Sequence, residues 1–128
     1  MRLLLDTHIL IWTAFSPEEM SSSGRRRVED KENELFFSVI SLWEIGVKRA
    51  LGRPKFQFDP HVLRGELLVR GFVELPVSGE HALTVDRLPP LHGDPFDRLL
   101  VCQALVEGLT ILTNDELILQ YPVSALRG

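Results

Sequence analysis

Cysteine is nearly absent. Cys102 stands alone, so no disulfide can close within the chain, and its apolar neighbours Leu99, Leu100, Val101 and Leu105 mark it as a buried thiol. A reducing, cytoplasmic setting is the expectation. Long apolar runs are also missing. The opening Met1-Arg2-Leu3-Leu4-Leu5-Asp6 meets an acid too early for a secretory leader, and no stretch approaches the roughly 20 apolar residues of a membrane span. Nor is there an excess of positive charge: the formal net charge is −4, which argues against a general polyanion binder while leaving room for a local basic groove. No Gly-x-Ser-x-Gly elbow and no glycine-rich phosphate loop occurs. His8, His61, His81 and His92 lack paired ligand spacing, and one cysteine cannot build a thiolate site. Zinc is therefore a poor fit, and most of the histidines read as ordinary surface or loop residues.

What remains is the composition of an ordinary globular protein, with 45% hydrophobic and 25% charged residues in 128. Residues 1–128 read as one domain, long enough to bury a core. Arg2 to Leu5 is a short buried strand, followed by a helix from His8 to Phe15 that Asp6-Thr7 can cap. Pro17-Glu18-Glu19 opens a helical stretch, whereas Ser21 to Arg27 is weak helix at best. Leu35 to Val39 is a second strand. Ser41 is expected to cap a helix from Leu42 to Leu51, with Ser41 and Glu44 as a capping box and Gly52 as the stop. Phe56 to Pro60 reads as loop, His61 to Arg70 as helix, Phe72 to Val77 as strand and Gly79 to Leu88 as helix. Asp94-Pro95 starts a long helix that ends at Gly108. Thr110 to Thr113 is a strand, Asp115 to Leu119 a helical turn and Val123 to Leu126 a last strand. This alternation predicts an α/β fold, a three-layer α/β/α sandwich with a mostly parallel central sheet.

Asp6, Glu44, Asp97 and Asp115 lie at or just past strand–helix junctions. Taken singly, each has a plain structural role. Asp6 and Asp97 suit helix starts, Glu44 can pair with Lys48 one turn on, and Asp115 can turn the chain. Taken together they imply more, because open α/β sheets bind ligands beyond the carboxyl ends of their strands. If the first strand is central, flanked by the strands ending at Val39 and Thr113, all four acids approach one edge. Two carboxylates about 4 Å apart repel by roughly 4 kcal/mol at an effective dielectric near 20. A cation is expected there, and hard oxygen donors suit Mg²⁺ or Mn²⁺. Such an ion can lower the pKa of a bound water and stabilise in-line attack on phosphate. Thr7, Ser38, Thr113 and Asn114 offer neutral hydrogen bonds beside the acids, or simply cap and turn the chain.

A signalling receiver domain requires an aspartate ending the third strand and a late lysine; here Phe72-Val73-Glu74-Leu75-Pro76 has no aspartate and no lysine follows Lys55. A catalytically inert protein-binding domain, and a phosphohydrolase of small substrates, both stay open.

Four segments carry a more specific likeness. They are Leu4-Leu5-Asp6-Thr7-His8, the run Ser38 to Ile45 containing Ser41-Leu42-Trp43-Glu44, the run His92 to Leu100 containing Asp94-Pro95-Phe96-Asp97-Arg98, and Leu109 to Asp115. In this order, over nearly the whole chain, the sequence resembles PIN-domain ribonucleases, and more closely the VapC-type toxins of bacterial toxin–antitoxin pairs. The resemblance implies metal-dependent endonucleolytic cleavage of RNA, a homodimer, and inhibition by a cognate antitoxin whose tail often sets a basic side chain against the acidic pocket. It matches Asp6, Glu44, Asp97 and Asp115 to the family's metal-binding acids, with Asp94, Thr7 and Thr113 supporting them from behind. For the RNA backbone, Lys48, Arg49, Arg53 and Lys55 are the best-placed cations, since they follow Glu44 along its helix and adjoining loop; a dimer can align two such stripes. The Arg25-Arg26-Arg27 triplet reads rather as a solvated helix face. Arg98, next to Asp97, is expected to hold the acids in place.

Overall fold

Leu3, Leu4 and Leu5 are all fully buried, which a strand achieves only when both faces of its sheet are covered. The computed structural model describes all 128 residues. The sheet has five strands: β1 (Arg2–Leu5), β2 (Glu34–Ser38), β3 (Val73–Leu75), β4 (Thr110–Thr113) and β5 (Ala125–Arg127). Their order is β3-β2-β1-β4-β5 and every pairing is parallel, with Leu4 of β1 opposite Phe36 on one side and Ile111 on the other. The first strand lies centrally, between the second and fourth, which is the condition under which the four acids approach one edge.

Six helices complete the fold: α1 (Thr7–Phe15), α2 (Ser22–Glu29), α3 (Val39–Ala50), α4 (Pro60–Val69), α5 (Gly79–Thr84) and α6 (Pro95–Glu107). Alternation along the strands divides the interior. Leu3, Leu5, Phe37 and Leu112 face α1 and α4 through Ile9, Leu10, Leu63 and Leu67, while Leu4, Phe36 and Ile111 face α6 through Leu100, Val101 and Ala104. Each fully buried Leu, Ile or Phe contributes about 1.5–3 kcal/mol. The three-layer α/β/α sandwich is therefore as the sequence predicts. α3 crosses the carboxyl edge between the layers, with Ile45 in one core and Ile40 against the other.

Several local expectations change. Ser38, the last residue of β2, caps α3 by accepting from the Ile40 N–H at 3.0 Å, so the helix begins three residues early and no Ser41–Glu44 capping box forms. Ser41 and Glu44 lie inside the helix instead, buried at 0% and 3% exposure. Ser22–Glu29 is a true helix rather than a loop, capped by the Ser21 hydroxyl, which accepts from the Gly24 N–H. Gly24 is required there: a Cβ would lie 2.4 Å from the carbonyl carbon of Gly128. That close approach joins residues about a hundred apart, so local pattern cannot show it. The stretch Val85–Arg87 tightens into a 3-10 turn after α5, and Pro54–Phe56 forms another. α6 starts and stops as expected, with Asp94 accepting from the Phe96 and Asp97 N–H groups, Pro95 in the first turn and Gly108 left-handed at φ 67°.

Candidate metal centre

Because every strand is parallel, the carboxyl ends of β1 and β4 and the amino ends of α1, α3 and α6 meet at one edge. Helix amino ends carry partial positive charge, which favours acids there. A cavity of about 370 Å³ opens at this edge, lined by Asp6, Thr7, His8, Trp12, Glu44, Lys48, Lys55, His92, Asp94, Asp97, Asn114 and Asp115. All four acids expected from the sequence reach it, as does Asp94.

Asp6 sits where β1 hands over to α1. One carboxylate oxygen accepts from the Ile9 N–H at 2.9 Å and the other accepts a short hydrogen bond from the Thr113 hydroxyl. Capping and presence in the cavity are thus one placement. Burial drives its pKa upward, opposed by those two hydrogen bonds and by His8. Glu44 accepts from Thr7 Oγ1 at 2.6 Å and from Lys48 Nζ at 2.5 Å. The Lys48 pair is no surface pair, since the two side chains are 22% and 3% exposed. The Lys48 ammonium also rests 5.1 Å from the Phe56 ring centroid and 5.7 Å from that of Phe96.

Asp97, in the first turn of α6, is pushed up to about 7 by burial and by the neighbouring charges of Asp94, Glu44 and Asp6, against the pull of His92. Asp115 behaves differently. Burial alone would raise it, but a hydrogen bond to His92 and the N–H groups of Ile118 and Leu117 hold it below the usual carboxylate value.

His92 is the residue that sequence reasoning missed. Its Nε2 lies 3.0 Å from Asp97 Oδ2 and 3.0 Å from Asp115 Oδ2. Its Nδ1 accepts from the Asp94 N–H at 3.1 Å. That leaves Nε2 to carry the proton of a neutral ring, shared between two acids. Far from an ordinary loop histidine, it is the hub of the tightest cluster, for ligand atoms of His92, Asp97 and Asp115 all lie within 4.8 Å of one another. The signal available in the sequence was its position two residues before Asp94. His81 also departs from expectation. It is 2% exposed and joins buried Gln103 to the more exposed Ser78 and Glu107 in a polar network that does not line the cavity.

The supporting residues divide cleanly. Thr7 holds Glu44 and lies 3.0 Å from Ser41 Oγ, while Thr113 holds Asp6 and accepts from the Asp115 N–H. Arg98 touches none of the acids. It donates to the carbonyls of Pro89 and His92 and to the Tyr121 hydroxyl, clamping the loop that carries His92. Of the four proposed backbone cations, Lys48 and Lys55 line the cavity; Arg49 lies 3.9 Å from Asp59, outside it, and Arg53 is not among its walls.

The donor set fits a hard divalent cation. It is made of carboxylates without enough positive charge to balance them, and the upward push on Asp97 and Asp6 is the physical mark of that imbalance. The oxygens of Asp97 are the most available: both of Glu44 are engaged by Thr7 and Lys48, both of Asp6 by the Ile9 N–H and Thr113, and both of Asp115 by His92 and backbone N–H groups, whereas Asp97 meets only His92 through one oxygen.

Comparison with known proteins agrees with this geometry. The PIN domain family matches residues 3–123. Ribonuclease VapC22 of Mycobacterium tuberculosis is 26% identical over 114 residues, covering 88% of this chain and 86% of its own. Among solved structures, VapBC2 from Rickettsia felis bound to a DNA fragment from its promoter superposes at a TM-score of 0.75 with 20% identity, over 100% of this chain and 99% of that one. VapBC-1 from nontypeable Haemophilus influenzae superposes at 0.63 with 18% identity, over 99% and 98%. No helix is long and apolar enough to cross a membrane. With an all-parallel five-stranded sheet and an acidic cavity at its carboxyl edge, this chain belongs to the PIN domain family.

Proposed function

We propose that this protein is a Mg²⁺- or Mn²⁺-dependent endoribonuclease, the toxin of a toxin–antitoxin pair, acting as a homodimer that a cognate antitoxin restrains. The observation that carries the reading is the cavity where Asp97, pushed up to about 7, faces Asp6, Glu44 and Asp94. The name of the Mycobacterium relative and the VapBC assemblies of similar fold support it.

Asp97 and Asp6 would hold the ion, with Glu44 and Asp115 completing the set. Bound there, a divalent ion supplies Lewis-acid stabilisation of the phosphate and a water of lowered pKa. The protein's own groups do the rest. Thr7 and Thr113 fix the Glu44 and Asp6 carboxylates in orientation, and Arg98 fixes the loop that presents His92. Lys55 supplies positive charge for the phosphodiester, which an acidic cavity would otherwise repel, while Lys48 offsets the charge of Glu44. The His92 Nε2 proton, shared by Asp97 and Asp115, keeps these two acids together.

The test is direct. Purified protein should cut defined RNA only when Mg²⁺ or Mn²⁺ is present, and titration calorimetry should show Mn²⁺ binding that Asp97→Asn abolishes. Cleavage that persists in chelator, or in Asp97→Asn, would sink the reading.

A further inference from the structure

A second cavity of about 290 Å³ opens beside the acidic one, and His8, Trp12 and Lys55 form walls of both. We infer that these three residues make a subsite for one unpaired nucleobase and its phosphate, next to the acidic centre. The inference rests on the ribonuclease reading above and deepens it, because it names the form of RNA that this groove takes.

The aromatic wall follows from helix geometry. Asp6 is buried at the start of α1, and His8 stands exposed two residues later at the lip of the acidic cavity. Trp12 lies four residues further along, hence on the same face. The His8 ring is 6.1 Å from that of Trp12 at an interplanar angle of 39°, and 5.8 Å from that of Phe56. Phe56 is 5% exposed and anchors the turn Pro54–Phe56, which presents Lys55. The groove thus has aromatic rings and a cation among its walls.

Charge points the same way. Lys48 is committed to Glu44, and Arg49 is near Asp59, whereas Lys55 pairs with no acid. It is the cation free to meet a phosphate at the junction of the two cavities. Glu19 lines this second cavity and not the acidic one. Its carboxylate repels a second phosphate and offers an acceptor to a base N–H, so the groove has the character of a site for a single nucleoside. Bases stack on aromatic rings without regard to sequence, but only when they are not already stacked in a duplex. A free base therefore fits and a paired one does not.

Trp12 can report on this itself. The chain has two tryptophans, so Trp43→Phe, a change at an exposed position outside both cavities, leaves Trp12 as the sole emitter. In that background, with Asp97→Asn added to halt cleavage, the expected result is saturable quenching of Trp12 by a fluorescein-free single-stranded oligoribonucleotide. A duplex of equal length and an abasic ribose-phosphate oligomer should leave the emission unchanged. His8→Ala and Lys55→Gln should each weaken the single-strand affinity about tenfold. The inference is overturned if the single strand fails to bind, if it binds by filter retention without altering Trp12, or if the abasic oligomer quenches equally. Quenching by a basic peptide but not by RNA would overturn it in favour of a protein ligand. The two readings fail separately: RNA cleavage by Trp43→Phe protein with Trp12 unmoved refutes the subsite alone, and quenching without metal-dependent cleavage by the same protein refutes the nuclease alone.

Discussion

Two charged cavities lie at opposite ends of the sheet. The larger, about 580 Å³, sits at the amino ends of β2 and β3 and is lined by the run Val28 to Leu35 with Thr13, Arg70, Gly71 and Phe72. The smaller, about 370 Å³, holds the acids at the carboxyl ends. Size favours the first and chemistry the second. Glu29, Asp30, Glu32 and Glu34 are all exposed, so water and salt screen them, whereas Asp6 and Glu44 are 5% and 3% exposed. Helix polarity separates the ends as well. The carboxyl edge receives the positive amino ends of α1, α3 and α6, while the opposite edge receives helix carboxyl ends, which disfavour anions. Exposed acids are screened from one another; acids held together out of water are not.

The largest expected effect tests that distinction. Asp97→Asn should lower Mg²⁺- or Mn²⁺-dependent RNA cleavage about a thousandfold, the equivalent of several kcal/mol of transition-state stabilisation. Glu32→Gln, in the larger cavity, should stay within about twofold of the parent. Initial rates on one defined RNA measure both, and equal losses would erase the contrast.

The next effect is on stability without metal. The folded Asp97 carboxyl titrates at about 7 against an ordinary 3.8, so between those values the folded protein keeps a proton that the unfolded chain has released. Stability therefore falls as pH rises through this window. No penalty applies below about pH 3.8, and the full penalty, of order 2–4 kcal/mol, stands above pH 7. In chelator, Asp97→Asn should melt higher than the parent at pH 8, and the two should converge near pH 4. Saturating Mn²⁺ should then raise the melting temperature of the parent and leave the variant unmoved. A gap independent of pH would show that Asp97 is not strained by its company.

A smaller effect comes from a polar interior that is fully satisfied. Ser38 donates to Gln103 Oε1 at 2.5 Å, and Gln103 Nε2 donates to the Pro76 carbonyl at 3.2 Å, tying α6 to the cap of α3. Gln103→Leu leaves both partners unpaired and should cost about 1–3 kcal/mol in urea unfolding. Unlike Asp97→Asn, it should destabilise equally at pH 5 and pH 8. The smallest effect is expected for Glu29→Gln in the larger cavity, within about 0.5 kcal/mol at any pH.

Much of this was legible along the chain. Asp94-Pro95 and Gly108 announce α6 because caps are local; the apolar runs announce the strands because burial on both faces needs them. The acids were found one by one for the same reason. Along the chain Ser41 suits the cap of α3 as well as Ser38 does, since Ser followed by Glu three residues later satisfies the local rule. The deciding factor is a contact across the fold: Ser38 is held by Gln103, 65 residues away, while Ser41 turns toward Thr7. His92 escaped notice because its ring gains meaning only from Asp97 and Asp115, the latter 23 residues distant.

The sequence by itself determined the α/β class, the mostly parallel sheet, and the four acids at strand–helix junctions. These follow from hydrophobic period, helix caps and chain polarity, all of which act over a few residues. The strand order that brings those acids to one edge came from the fold. Only the tertiary structure decided which acids stay uncompensated. It placed Lys48 on Glu44 and His92 between Asp97 and Asp115, and it left Asp97 and Asp6 pushed upward by burial. Charge balance depends on distance and dielectric, and both are set by residues that the chain brings together from far apart.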